Sequence, residues 1–164
     1  LPRIVGNDAD IQHVLEAVEN PHNGLTFCAG SLSSGTHNDV ITLAKKFAHR
    51  THFVHLRSCH IFPNGNFTEA SHLGGRADLI ELCRIFEAAE QSGQPNSGHR
   101  LPMRVDHGMT FTDQPNGIMD ESSHGHNAGY TLLGRMFALG QIQGIIATVD
   151  RELGIPFHQP GFYD

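Results

Sequence analysis

Apolar positions along the chain recur in two rhythms. Ile11, Val14, Leu15 and Val18 follow helical spacing behind the cap pair Asn7-Asp8, and Asn20-Pro21-His22-Asn23-Gly24 ends that helix. Val40, Leu43, Ala44, Phe47 and Ala48 make a second stripe behind Asn38-Asp39. Leu79, Leu82, Cys83, Phe86 and Ala89 make a third within Arg76 to Glu90. Tyr130 opens a last helix that carries Leu132, Leu133, Met136, Phe137, Ile142, Ile145, Ile146 and Val149, with Gly140 and Gly144 expected to permit close packing. Between these stripes, short apolar runs predict strands at Leu25 to Cys28, His52 to Arg57 and Leu101 to Val105. On the second strand Phe53, His55 and Arg57 share one face, and His52, Val54 and Leu56 the other.

The connections are expected to be irregular. Leu1 to Val5 reads as extended, Ala29 to Gly35 as a small-residue loop, and Gln91 to Arg100 as a polar linker. Ser58 to Leu73 reads as a long loop around the turn signal Pro63-Asn64-Gly65-Asn66, returning Glu69, Ser71 and His72 to the core. Met109 to Gly129 is a second long loop, and a tail begins at Gly154.

A helix followed by three strand–helix units predicts an α/β fold with a parallel sheet. No glycine fingerprint for a dinucleotide and no phosphate-binding lysine motif is present, which argues against those folds and favours a (β/α)8 TIM barrel. A full barrel takes about 250 residues. The 164 residues of this chain are therefore expected to form one catalytic domain covering roughly the C-terminal half. The start at Leu1, without Met, reads as an internal or processed segment.

Net charge is −6 with no basic stripe, which argues against a nucleic-acid partner. No apolar run approaches the roughly 18 residues that would span a bilayer, and no signal peptide is evident. Three cysteines at irregular spacing argue against a disulfide framework and for a reducing, cytoplasmic compartment. Cys83, on an apolar helical stripe, reads as a core residue.

Candidate chemistry gathers where strands stop. Cys28 ends the first strand, His55 lies in the second, and Pro102-Met103-Arg104-Val105-Asp106-His107-Gly108 closes the third on a carboxylate, an imidazole and a glycine. Parallel strands bring their C-terminal tips to one rim, so Cys28, His55 and Asp106 form a candidate ligand set for one divalent metal. A mixed thiol, imidazole and carboxylate set suits a borderline transition ion better than Mg²⁺ or Ca²⁺. No two cysteines or histidines are closely paired as in a structural zinc site, so the site reads as open and catalytic.

With these residues in view, the chain resembles the mannonate dehydratase family. The resemblance lies in Leu1-Pro2-Arg3-Ile4-Val5, Asn23-Gly24-Leu25-Thr26-Phe27-Cys28-Ala29-Gly30-Ser31, His52-Phe53-Val54-His55-Leu56-Arg57, Phe67-Thr68-Glu69-Ala70-Ser71-His72-Leu73, Arg104-Val105-Asp106-His107-Gly108 and Gly129-Tyr130-Thr131-Leu132-Leu133-Gly134-Arg135, in the family's order. It implies a xylose-isomerase-like barrel that dehydrates D-mannonate to 2-keto-3-deoxy-D-gluconate in hexuronate catabolism, with Mn²⁺ or Fe²⁺ as cofactor. It implies Cys28, His55 and Asp106 as metal ligands and His107 and Tyr130 as the catalytic pair. It further implies a metal-binding His in a His-Pro-Asp-Asp segment ahead of the stretch matched by Leu1-Pro2-Arg3-Ile4, and a homo-oligomer at full length. Arg57 and His72 are the candidates for holding the substrate's carboxylate and hydroxyls. The competing readings are another metal-dependent sugar isomerase or epimerase on the same barrel, and a non-catalytic metal-binding fragment.

Overall fold

Each α-helix among the described residues begins where a short side chain captures a free backbone N–H. The computed structural model describes residues 4–93, 100–109 and 129–156, so Leu1 to Arg3, most of the linker after Gln91, the body of the loop after Met109 and the tail from position 157 lie outside the described residues. Helix α1 (Asp8–Ala17) starts at Asn7, whose side chain accepts from Asp10 N. Asp39 does the same at Ile41 and Thr42 for α3 (Val40–Phe47), and Asp78 at Glu81 for α4 (Leu79–Gln91). Helix α5 (Leu132–Leu153) is capped by Thr131 and stops at Gly154, which takes the left-handed conformation that favours glycine. The expected loop after the first strand is instead a short helix, α2 (Ala29–Ser33), with Cys28 Sγ accepting from Ser31 N at its start. A five-residue turn of helix is too short to show apolar periodicity.

Strands β1 (Leu25–Cys28), β2 (Thr51–His55) and β5 (Met103–Arg104) form a parallel sheet in the order β1-β2-β5. Phe27 pairs with Val54 and Cys28 with His55; Val54 pairs with Met103 and His55 with Arg104. The third strand is shorter than its apolar run. Val54 N donates to Pro102 O and Leu56 N to Arg104 O, and the ladder ends there because the chain turns at Asp106. The expected long loop holds an antiparallel hairpin of β3 (Cys59–Ile61) and β4 (Phe67–Glu69), with Cys59 opposite Glu69. Its turn is the Asn64-Gly65 segment, where Gly65 has φ +83°. Strands of three residues carry too little alternation to be read from sequence.

Helices α3, α4 and α5 cover one face of the sheet. Phe27 and Phe86 meet edge to face at 5.2 Å inside a core that includes Ile11, Leu15, Phe47, Val54, Leu56, Leu82 and Val149. Val54 and Leu56 point into this core, while Phe53 and His55 stack edge to face on the opposite side, as strand alternation requires. Val14 in α1 and Val18 just past its end are exposed rather than inward. Cys83 is buried and its thiol is pushed up to about 12 by burial, as fits a core residue.

Helix α5 departs from expectation in two ways. Its inward positions are Gly134, Ala138, Ile142, Ile145 and Val149, whereas Leu132, Leu133, Met136, Phe137 and Leu139 are exposed. A Cβ at Gly140 or Gly144 would meet nothing within 4 Å, so close packing falls instead at Gly134, whose backbone abuts Met109 O and Gly108. By length and composition α5 is also apolar enough to cross a bilayer, although no single apolar run suggested it. It packs on α4, tied by the Arg84–Glu152 ion pair at 2.8 Å.

Two carboxylates are buried at that helix pair. Glu87 on α4 and Asp150 on α5 each keep an oxygen without a hydrogen bond among the described residues. Burial, with the Asp150 and Glu90 charges, pushes the Glu87 carboxyl up to about 7, and Arg100 offsets only part of this. The unfolded chain would titrate near 4.3, so folding takes up a proton between these values. The resulting stabilisation is full below about pH 4.3 and is lost as pH rises through about 7. Glu87→Gln is expected to remove this dependence and to stabilise the fold at about pH 8. Urea midpoints of both proteins at about pH 5 and about pH 8 check it, and equal pH slopes would count against it.

Candidate metal centre

The parallel register brings the first two site residues together. Cys28 and His55 face each other at the C-terminal ends of β1 and β2, and Arg104 is the next partner across the sheet. Asp106 follows two residues later with φ +57°, the left-handed region that Asp tolerates better than most residues. An extended strand would send Asp106 and His107 to opposite faces. The left-handed turn at Asp106 brings both to the same rim.

Cys28 Sγ, a ring nitrogen of His55 and a carboxylate oxygen of Asp106 all lie within 4.8 Å of one another. His55 Nδ1 is 3.6 Å from Asp106 Oδ2, and His107 Nε2 is 3.7 Å from the same oxygen. The other oxygen, Oδ1, accepts from Arg104 Nη2 at 2.5 Å and from the Tyr130 hydroxyl at 3.3 Å. The rings of His107 and Tyr130 lie 4.4 Å apart, tilted by 60°. The five residues expected as ligands and catalytic pair therefore form one cluster.

Electrostatics hold His55 and Asp106 in states that suit a cation. Burial lowers the His55 pKa below the ordinary histidine value, with Asp106 pulling the other way, so the ring is neutral near pH 7 and can donate a lone pair. Burial alone would raise Asp106, but His55, His107 and Arg104 outweigh it and hold the carboxyl below its usual range. A thiol, a neutral imidazole and a carboxylate converging at this spacing are a candidate donor set for a divalent transition ion.

Arg57 and His72, expected at the substrate, lie beneath the site. Arg57 donates from Nε to Glu69 Oε2 at 2.8 Å and from Nη2 to Oε1 at 2.5 Å, and both side chains are 8% exposed. His72 is fully buried; its Nε2–H donates to Val105 O at 3.2 Å, and burial lowers its pKa. This bond props the segment just before Asp106. Two residues of the cluster had no assigned role from sequence. Arg104 shares a strand face with Asp106 two residues on, which was the available signal. Glu69 was expected only to return to the core, and the hairpin that aims it was not readable.

An α/β unit whose polar cluster lies at the carboxyl ends of parallel strands carries that cluster where such folds place their functional sites. Comparison with known proteins specifies it. The family model described as D-mannonate dehydratase (UxuA) matches residues 1–155, and the chain belongs to that family. It is 40% identical over 155 residues to Mannonate dehydratase 2 of Agrobacterium fabrum and 38% identical over 154 residues to a mannonate dehydratase of Saccharophagus degradans. These alignments cover 93% and 92% of this chain but 37% of each relative, so the chain spans little more than a third of their length. The crystal structure of mannonate dehydratase from Streptococcus suis serotype 2 superposes with a TM-score of 0.74 at 24% identity, covering 96% of this chain and 41% of that one. That likeness establishes a shared fold.

Replacing any one donor tests the centre. Cys28→Ala, His55→Ala and Asp106→Ala are each expected to weaken Mn²⁺ binding by at least the about 10- to 100-fold that loss of even an outer-shell partner costs. Calorimetry of the wild type and the three variants would measure this. Unchanged affinity in any variant would remove that residue from the set.

Proposed function

We propose that this chain is the metal-binding, catalytic part of a mannonate dehydratase, converting D-mannonate to 2-keto-3-deoxy-D-gluconate and water. The observation that carries the reading is the gathering of Cys28, His55 and Asp106 with His107 and Tyr130 on one rim, in a chain of this family. We take the fold to be the C-terminal part of a single (β/α)8 barrel domain. The parallel β1-β2-β5 sheet with its site at the carboxyl ends of the strands supports this. Three free cysteines fit a reducing, cytoplasmic setting.

Cys28, His55 and Asp106 would hold Mn²⁺ or Fe²⁺, joined by a histidine from an upstream segment. Such an ion supplies charge stabilisation for the substrate oxygens as the proton beside the carboxylate leaves. The remaining chemistry belongs to the chain. The proton is weakly acidic and the neighbouring hydroxyl is a poor leaving group, so one group must accept a proton and another must donate one. His107 and Tyr130 stand side by side next to Asp106 and form that pair. Arg104 and Tyr130 both hold Asp106 Oδ1, which orients its carboxylate. Arg57 and His72 support this arrangement from below.

The test compares metal content and D-mannonate dehydration for this chain and for a version extended upstream to the length of its relatives. The extended protein is expected to bind about one Mn²⁺ or Fe²⁺ and to form the keto acid. Metal binding without keto acid, but with aldose isomerisation, would instead identify a sugar isomerase on the same scaffold. In the active protein, His107→Asn is expected to abolish turnover and leave metal content near that of the wild type. Loss of metal in that variant would make His107 a ligand or a structural residue.

A further inference from the structure

The substrate class proposed above carries a carboxylate, which a cation must meet. Among the described residues, three guanidiniums stand at the cluster. Arg57 is committed to Glu69: its Nε and Nη2 donate to both carboxylate oxygens, and the two side chains are 8% exposed. Arg135, in the first turn of α5, is exposed and lies over the Tyr130 ring, 5.5 Å from Cζ to centroid. Arg104 differs from both. It pairs with His55 across the sheet, so the two side chains leave the strands on one face. Its Nη2 donates to Asp106 Oδ1 at 2.5 Å, yet its side chain is 41% exposed against 7% for Asp106.

Arg104 is therefore anchored at one corner and open elsewhere. A guanidinium carries five N–H donors in a planar fork. Asp106 Oδ1 is the one acceptor that Arg104 meets among the described residues, and its buried Nε has none. The anchor holds the guanidinium beside His55 and Asp106, two of the three candidate metal donors. A fork held in this way matches a carboxylate through two parallel hydrogen bonds, which a point charge cannot reproduce. We infer that Arg104 recognises the substrate's carboxylate and so selects a sugar acid over an uncharged sugar. An uncharged sugar would leave the fork without an anionic partner, and it is rejected for that reason. The inference rests on the sugar-acid reading of the site, but not on which bond the enzyme breaks.

The experiment titrates the extended protein, loaded with Mn²⁺, with 3-deoxy-D-mannonate and with its uncharged carboxamide, by calorimetry. Neither ligand can be dehydrated, because both lack the hydroxyl that would leave. The wild type is expected to bind the acid more tightly than the amide. Arg104→Met is expected to cut that preference by about 10-fold or more, the loss of one hydrogen bond to a charged group. Arg104→Lys keeps the charge without the fork and is expected to fall between the two, while Arg135→Met keeps the wild-type preference. A residue that merely held Asp106 in place would weaken both ligands alike and leave the preference unchanged. That outcome overturns the inference, as does a loss of the preference in Arg135→Met that Arg104→Met does not share. Failure of the wild type to bind the acid overturns it too. Should Arg104→Met not fold or not take up Mn²⁺, Arg104→Lys decides, and an unchanged preference there overturns the inference. Dehydration of D-mannonate is measured on the same wild-type sample. Its absence beside a preference that depends on Arg104 would overturn the dehydratase reading and leave this one standing.

Discussion

The parallel pairing of β1, β2 and β5 is the constraint on which the site depends. Its register sets Cys28 against His55 and His55 against Arg104, so three chemically active side chains from distant parts of the chain stand on adjacent strands. A register slip of one residue would turn His55 to the opposite face and bury Val54 and Leu56 wrongly. The apolar core beneath the sheet, centred on Phe27, Val54, Leu56 and Phe86, therefore specifies the site as firmly as any polar contact within it.

Asp106 is where that order is deliberately broken. The short β5 strand ends, and the left-handed turn places consecutive residues, Asp106 and His107, at one rim. Four groups then converge on the Asp106 carboxylate: His55 and His107 near Oδ2, and Arg104 and Tyr130 on Oδ1. His72, buried below, holds the carbonyl of Val105. The left-handed backbone is thus held by contacts to the Asp106 carboxylate on one side and to the Val105 carbonyl on the other.

The hairpin of β3 and β4 adds a second source of order. It carries Glu69 back onto Arg57, and this buried pair reaches His107. The packing of Gly134 against Met109 and Gly108 fixes the start of α5 close to the same segment, which also seats Tyr130. Strand ends, hairpin and helix start thereby meet within a few side chains of one another.

Much of this was legible in the sequence. The caps Asn7 and Asp39, the strand Leu25–Cys28 and the inward stripe of α4 follow from local rules, because each depends on neighbours within one or two turns. Cys28, His55 and Asp106 were legible as a candidate donor set from residue types at strand ends, and His107 and Tyr130 entered through the family resemblance. The tertiary structure alone decided what those residues touch. It showed α2 and the hairpin, which are too short for periodicity, and turned the large apolar residues at the start of α5 outward. It buried Arg57 against Glu69 and His72 against the Val105 carbonyl, and it brought Arg104 and Glu69 into the cluster. These outcomes depend on strand register, on a single positive φ and on buried pairings between residues far apart in the chain, none of which leaves a local signal.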